Sequence, residues 1–194
     1  MIGKGLGLAG SVAGFAALAV APVPVVIASE YLSVEAAQRS LMAQADRFEE
    51  VVPALTEAQR QAVLTLAGPQ APHRSVRVFR ALRGAEVQGY VFVDEVIGKQ
   101  DFITYALAID AQGRTSAIEV LAYRESHGGE IRNAAWRRQF AGRDGLGQLR
   151  FGADIRNIAG ATLSCEHVTA GVRWLVALWQ VALRPHAAAA APPG

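Results

Sequence analysis

The stretch Ile158-Ala159-Gly160-Ala161-Thr162-Leu163-Ser164 combines small side chains with two hydroxyls and leads straight into a helical pattern. Small residues let a backbone approach a ligand closely. The free N–H groups at a helix start, together with the helix dipole, favour a phosphate there. A hydroxyl at such a place serves as a hydrogen-bond donor or as the attachment point of a phosphoester. The same residues also read as an ordinary loop, with Ser164 as N-cap and Glu166 in the first turn.

Other reactive side chains are few. Cys165 is the single cysteine, so neither an internal disulfide nor a multi-cysteine metal site is available. Cys165 and His167 are two apart and share no helix face, which argues against a metal pair. Cys165 reads as a small packed residue. Glu125-Ser126-His127-Gly128-Gly129 forms a polar, glycine-containing loop, in which Glu125 fits a loop-orienting carboxylate or a solvated one, and His127 a surface histidine or a ligand neighbour. No nucleophile–histidine–acid set, P-loop or dinucleotide fingerprint is legible. Substrate chemistry by a hydrolase or kinase therefore has no support.

Charge narrows the partners. The formal net charge is +2 over 194 residues, and lysine occurs only at Lys4 and Lys99. Arg132, Arg137, Arg138 and Arg143 are flanked by Glu130 and Asp144, the pattern of a solvated face rather than a nucleic-acid footprint.

These groups need a scaffold. Tyr31 to Val51 reads as a helix opened by Ser33, with Leu41, Ala45 and Phe48 at helical spacing. Thr56 caps a second helix through Leu66, which Gly68-Pro69 ends. The pattern then changes to period two, with strands over Val76–Leu82, Val87–Asp94, Phe102–Ile109 and Thr115–Tyr123 and a turn at Asp110–Gly113. Their short connections predict an antiparallel meander. Tyr90, Phe92, Phe102 and Tyr105 follow strand alternation as core. Asn133–Phe140 reads as a short helix with Trp136 and Phe140 on one face. A long amphipathic helix runs from near Ser164 to about Leu183, where Pro185 stops it. Trp174 and Trp179, five apart, cannot both face the core squarely. The expectation is an α+β fold: an antiparallel sheet of about four strands, N-terminal helices and a long C-terminal helix.

From Gly5 to Ser29 the chain carries no charge, Lys4 precedes this stretch, and Val26-Ile27-Ala28 ends it with a small residue. This is the pattern of a signal peptide cleaved after Ala28, of a retained membrane anchor or of a buried core helix. The first two readings put the remainder outside the cytoplasm. The expected organisation is a targeting segment or anchor over 1–28, a helical region over 29–70, the main domain over 71–184 and a low-complexity tail over 185–194.

Gly160-Ala161-Thr162-Leu163-Ser164 resembles the signature of the FMN-binding domain family, whose covalent-FMN members occur in the Na⁺-translocating NADH:quinone reductase and in the Rnf complex. Gly89-Tyr90, Ile97-Gly98, Phe102–Tyr105, Ile109-Asp110 with Gly113, and Glu125–Gly128 resemble that family's strands, turn and loop. The resemblance spans roughly Gly89 to Val176. It implies FMN joined to Thr162 through a phosphoester by a flavin transferase, and electron relay among membrane, haem or quinone partners. It also implies contacts to the flavin from Gly160, Ala161, Leu163 and Ser164 and from Glu125, Ser126, His127, Gly128 and Gly129. Two positions depart from the pattern: Ala159 stands where the family usually has Ser or Thr, and Arg156 where it favours Asp, with Asp154 two residues earlier. They sustain a second reading, an exported interaction module that binds flavin non-covalently or not at all.

Overall fold

The computed structural model describes residues 29–68, 76–124 and 128–184. The charge-free segment, the 69–75 linker, the tail, and Glu125, Ser126 and His127 lie outside the described residues. Among those described, no helix is long and apolar enough to cross a membrane.

The chain folds as β1 (Ser29–Glu30), α1 (Val34–Leu41), β2 (Arg47–Val51), α2 (Glu57–Ala67), β3 (Arg77–Arg83), β4 (Glu86–Ile97), β5 (Phe102–Asp110), β6 (Glu119–Tyr123), α3 (Ala134–Arg137) and α4 (Thr162–Leu178). A π-helical turn, Trp179–Leu183, continues α4. The six strands form one antiparallel sheet in the order β1-β6-β5-β4-β3-β2. The α+β class is as expected, with short strands added at both edges of the four-stranded centre.

The single helix expected over Tyr31–Val51 does not form. Only Val34–Leu41 is helical, capped by Ser33 Oγ accepting from Ala36 N–H. The second half becomes edge strand β2. Cross-strand ion pairs, Glu49 to Arg80 and Glu50 to Arg77, favour the extended form, and Phe48 packs with the α1 cluster from there. The second helix is as read: Thr56 and Gln59 form a reciprocal capping box.

Helices cover both faces of the sheet. Val78, Phe92, Leu107 and Tyr105 meet Val168, Val172 and Leu175 of α4 on one face. Phe79, Val91, Ala106 and Leu121 meet Ala37 and Met42 of the α1 region on the other. Strand β4 is consequently buried almost continuously, without the alternation of a sheet with one wet face. Tyr90, Phe92 and Tyr105 are core, and Phe102 is half-buried. The last strand starts at Glu119 rather than Thr115. The Thr115 hydroxyl donates to the Phe140 carbonyl and Ser116 Oγ accepts from Ala108 N–H, which bends the chain out of register. Trp179 is buried and Trp174 half-buried.

Candidate functional site

The site grows from the start of α4. That helix begins at Thr162, so Ser164 is not its N-cap and Glu166 is not in its first turn. Ala161 occupies the cap position and supplies no side-chain acceptor, and the first turn holds no acid. The helix ladder opens with Cys165 N–H donating to the Ala161 carbonyl. The N–H groups of Thr162, Leu163 and Ser164 are thus the orphan donors of an uncapped helix start. Gly160 precedes them at φ +87°, with open space where a Cβ would stand.

Thr162 is exposed, and its Oγ1 accepts a 2.9 Å hydrogen bond from Asn157 Nδ2. A nucleophilic hydroxyl needs this combination: solvent access, a fixed position, and a proton that remains free to leave. Leu163 beside it is also exposed, whereas Ser164 and Cys165 point into the fold and are buried. Burial pushes the Cys165 thiol up, which keeps it protonated and inert. His167 faces the β4–β5 turn, with Nδ1 at 2.6 Å from the Ile97 carbonyl and 2.9 Å from that of Gly98. Its role is to tie α4 to that hairpin.

The second loop reaches the same place. Gly128 has φ +88°, and a Cβ there would come within 2.6 Å of Tyr123 Oη, 3.1 Å of Ser164 Oγ and 3.6 Å of Ala161 Cα. The Gly128-Gly129 backbone therefore lies directly against the small residues before α4. Glycine is required on two counts, its left-handed backbone and the missing space. Of the candidate set, Gly128, Gly129, Gly160, Ala161, Thr162, Leu163 and Ser164 form one neighbourhood.

The segment leading into Thr162 is clamped by residues that the sequence pattern does not mark as part of the site. Trp136 Nε1 donates to the Arg156 carbonyl at 2.8 Å, and Arg156 N–H donates to Gln139 Oε1 at 2.8 Å. Both backbone groups of Arg156 are thereby fixed to the α3 region. Trp136 stacks edge-to-face on Phe140 at 5.2 Å. Between the two segments lies an open groove of about 530 Å³, lined in part by Asn133, Trp136, Gln139, Arg156, Asn157 and Ile158. Trp136 and Ile158 offer it apolar surface for a planar ring, the rest of its lining is mostly polar, and Asn157 connects it to the Thr162 hydroxyl.

The groove carries side chains of both charges, Glu130 and Arg156. The Arg156 side chain is exposed and forms no ion pair among the described residues. Asp154 does not face the site as a replacement acid. Arg150 donates to it from its backbone and its guanidinium, which lowers its pKa to about 2.

The residues present fit FMN. An uncapped helix start and open space at Gly160 suit its phosphate, and the adjoining groove suits its ring. No curated protein matches the chain. The model of the FMN-binding domain matches residues 98–177, which hold both glycine-containing loops, the groove and most of α4. That segment matches the FMN-binding domain family, and the match supports a flavin-binding protein.

Proposed function

We propose that this protein carries FMN covalently on Thr162 and relays electrons between redox partners outside the cytoplasm. One observation carries the reading: the Thr162 hydroxyl is exposed, oriented by Asn157, and set at the uncapped start of α4. Attachment forms the bond from Thr162 Oγ1 to phosphorus. The hydroxyl proton leaves with the group displaced from phosphorus, and a flavin transferase supplies the flavin in activated form. The net product is FMN joined with loss of one water.

Bound FMN would supply the electron chemistry. The chain's own contribution is orientation and field. Backbone N–H groups of Thr162 to Ser164 receive the phosphate. The clamp by Trp136 and Gln139 fixes the groove wall, and Arg156 adds a positive charge at its edge. We read the chain as an electron carrier rather than a stand-alone oxidoreductase. Export follows from the charge-free Gly5–Ser29 stretch. The implied partners are the transferase and membrane, haem or quinone redox proteins.

Arg156 and Ala159, at positions where the resembled family favours Asp and Ser or Thr, support a second reading in which flavin binds without a covalent bond or not at all. Intact mass separates the two. The chain is expressed with its leading segment and a flavin transferase, beside Thr162→Ala. The expected result is an added mass of FMN minus water in the wild type and none in the variant. An unmodified wild type, under conditions that modify a control domain, overturns covalent attachment and favours the second reading.

A further inference from the structure

A second cavity, of about 300 Å³, opens at the far end of α4. From Thr162 it lies the length of α4 and its π turn away, roughly 30 Å at the rise of an α-helix. Its walls are Val51 and Ala54 from the β2–α2 connection, Ala182 and Leu183 from the π turn, and Tyr90 and Arg80 from the sheet.

Arg80 is the unexpected member. It pairs in register with Glu49 on one side and Tyr90 on the other, and Tyr90 pairs with Ile109. Residues directly opposite share a face, so this row points to the α4 side. There Val78, Leu82, Tyr90, Phe92 and Ile109 are all core. Arg80 stands at the open rim of this row, with its side chain 37% exposed, and places a cation at the edge of the inner face. Only its Nη2 has an acceptor, Glu49 Oε2 at 2.6 Å, and its Nε is without one among the described residues. Glu49 is shared, since its other oxygen accepts from Arg47. Two guanidinium groups therefore share one carboxylate, which leaves Arg80, the charged residue of the cavity wall, only partly matched. The mouth carries Val52, a valine 91% exposed.

An apolar chamber with one under-matched guanidinium selects for an apolar body with an anionic head. We propose that this cavity is a binding site for a small aliphatic carboxylate, with the carboxylate at Arg80 and the chain against Val51, Tyr90 and Leu183. The site is separate from the flavin site and does not depend on it. Ala182 and Leu183, which line it, belong to the π turn.

The test is methyl NMR of the full chain titrated with octanoate and, separately, with octanol. Octanoate is expected to shift the methyls of Val51, Val52 and Leu183 saturably, while those of Val120 stay still. Octanol is expected to bind at least about tenfold more weakly, and Arg80→Met to remove that difference. Ala54→Trp, which fills the chamber from an exposed position, is expected to abolish both and guards against a folding defect at Arg80. Equal binding of the two probes overturns the role of Arg80. Shifts confined to other methyls, or octanoate binding unchanged in Ala54→Trp, overturn the site.

Discussion

Tyr123 Oη lies 3.3 Å from Ser164 Oγ, and the backbone of Gly128 passes over that pair too closely to admit a side chain. This contact joins the end of β6 to the first turn of α4, so the two loops of the candidate site share one rigid support. Gly128→Ala adds a methyl at φ +88° and drives it into the Tyr123 oxygen. The expected loss is about 2 kcal/mol in urea unfolding. Gly142→Ala is the control: φ is +73°, but nothing lies near its Cβ, so about 1 kcal/mol is expected. Equal losses would show that backbone strain alone, and not the loop contact, sets the cost.

Under the proposed function, Asn157 should govern the rate of flavin attachment without governing its place. Its Nδ2 donates to Thr162 Oγ1, which orients the hydroxyl while leaving its proton free. A hydrogen bond of this kind contributes about 1 kcal/mol, so Asn157→Ala is expected to slow modification roughly fivefold. Timed intact-mass spectra with the transferase measure this. A wild-type rate in the variant would remove Asn157 from the attachment chemistry.

The candidate neighbourhood around Thr162 was legible because a hydroxyl among small residues before a helix is a local pattern. The clamp on Arg156 was not, because Trp136 and Gln139 lie far away in sequence and act on backbone atoms. Trp136 read as an apolar face residue, and it is one; only its indole nitrogen betrays the second role. The N-terminal misreading has a similar origin. Leu41, Ala45 and Phe48 keep helical spacing, yet Glu49 and Glu50 find arginines on β3. Tertiary pairing outweighed local period there. Helix α2 was legible because its capping box is entirely local.

Arg156 sets a measurable property of the bound cofactor under the proposed function. A cation beside the ring favours the reduced, more negative flavin. Arg156→Gln is expected to lower the midpoint potential by tens of millivolts, and Arg156→Glu to lower it further. Redox titration of the loaded protein checks the order. An unchanged potential in both would place the guanidinium away from the ring.

Asp154 gives the approach to the site a definite acid response. Hydrogen bonds from Arg150 depress its pKa to about 2, below the ordinary carboxylate value near 3.9. A depressed carboxylate stabilises the fold above its unfolded pKa, and that contribution disappears as pH falls through the folded one. The melting difference between wild type and Asp154→Asn should be full above about pH 5, shrink as pH falls, and be gone by about pH 1. A difference that stays constant across this window would mean that the Arg150 contact does not depend on charge.

Gly171 determines how closely α4 lies on the sheet. A Cβ there would stand 2.3 Å from Tyr105 Oη, 3.0 Å from Val96 Cγ1 and 3.3 Å from Asp94 Oδ2. Tyr105 donates to that carboxylate at 2.7 Å, and burial, with the Asp94 charge second, pushes its phenol well up. The phenol therefore remains a proton donor and holds β4 to β5 under the helix. Alanine is the better helix former by about 1 kcal/mol, but overpacking a fixed core costs about 1–3 kcal/mol. Gly171→Ala should thus be destabilising on balance, against propensity. Tyr105→Phe removes the oxygen that the new methyl would strike. In that background the cost of alanine should fall, giving a coupling of about 1 kcal/mol or more in a double-mutant cycle by urea unfolding. Strict additivity would mean that α4 shifts as a body to admit the methyl. The start of α4 would then move with it, and the Gly128 contact with Ser164 would be the next place to look for the displacement.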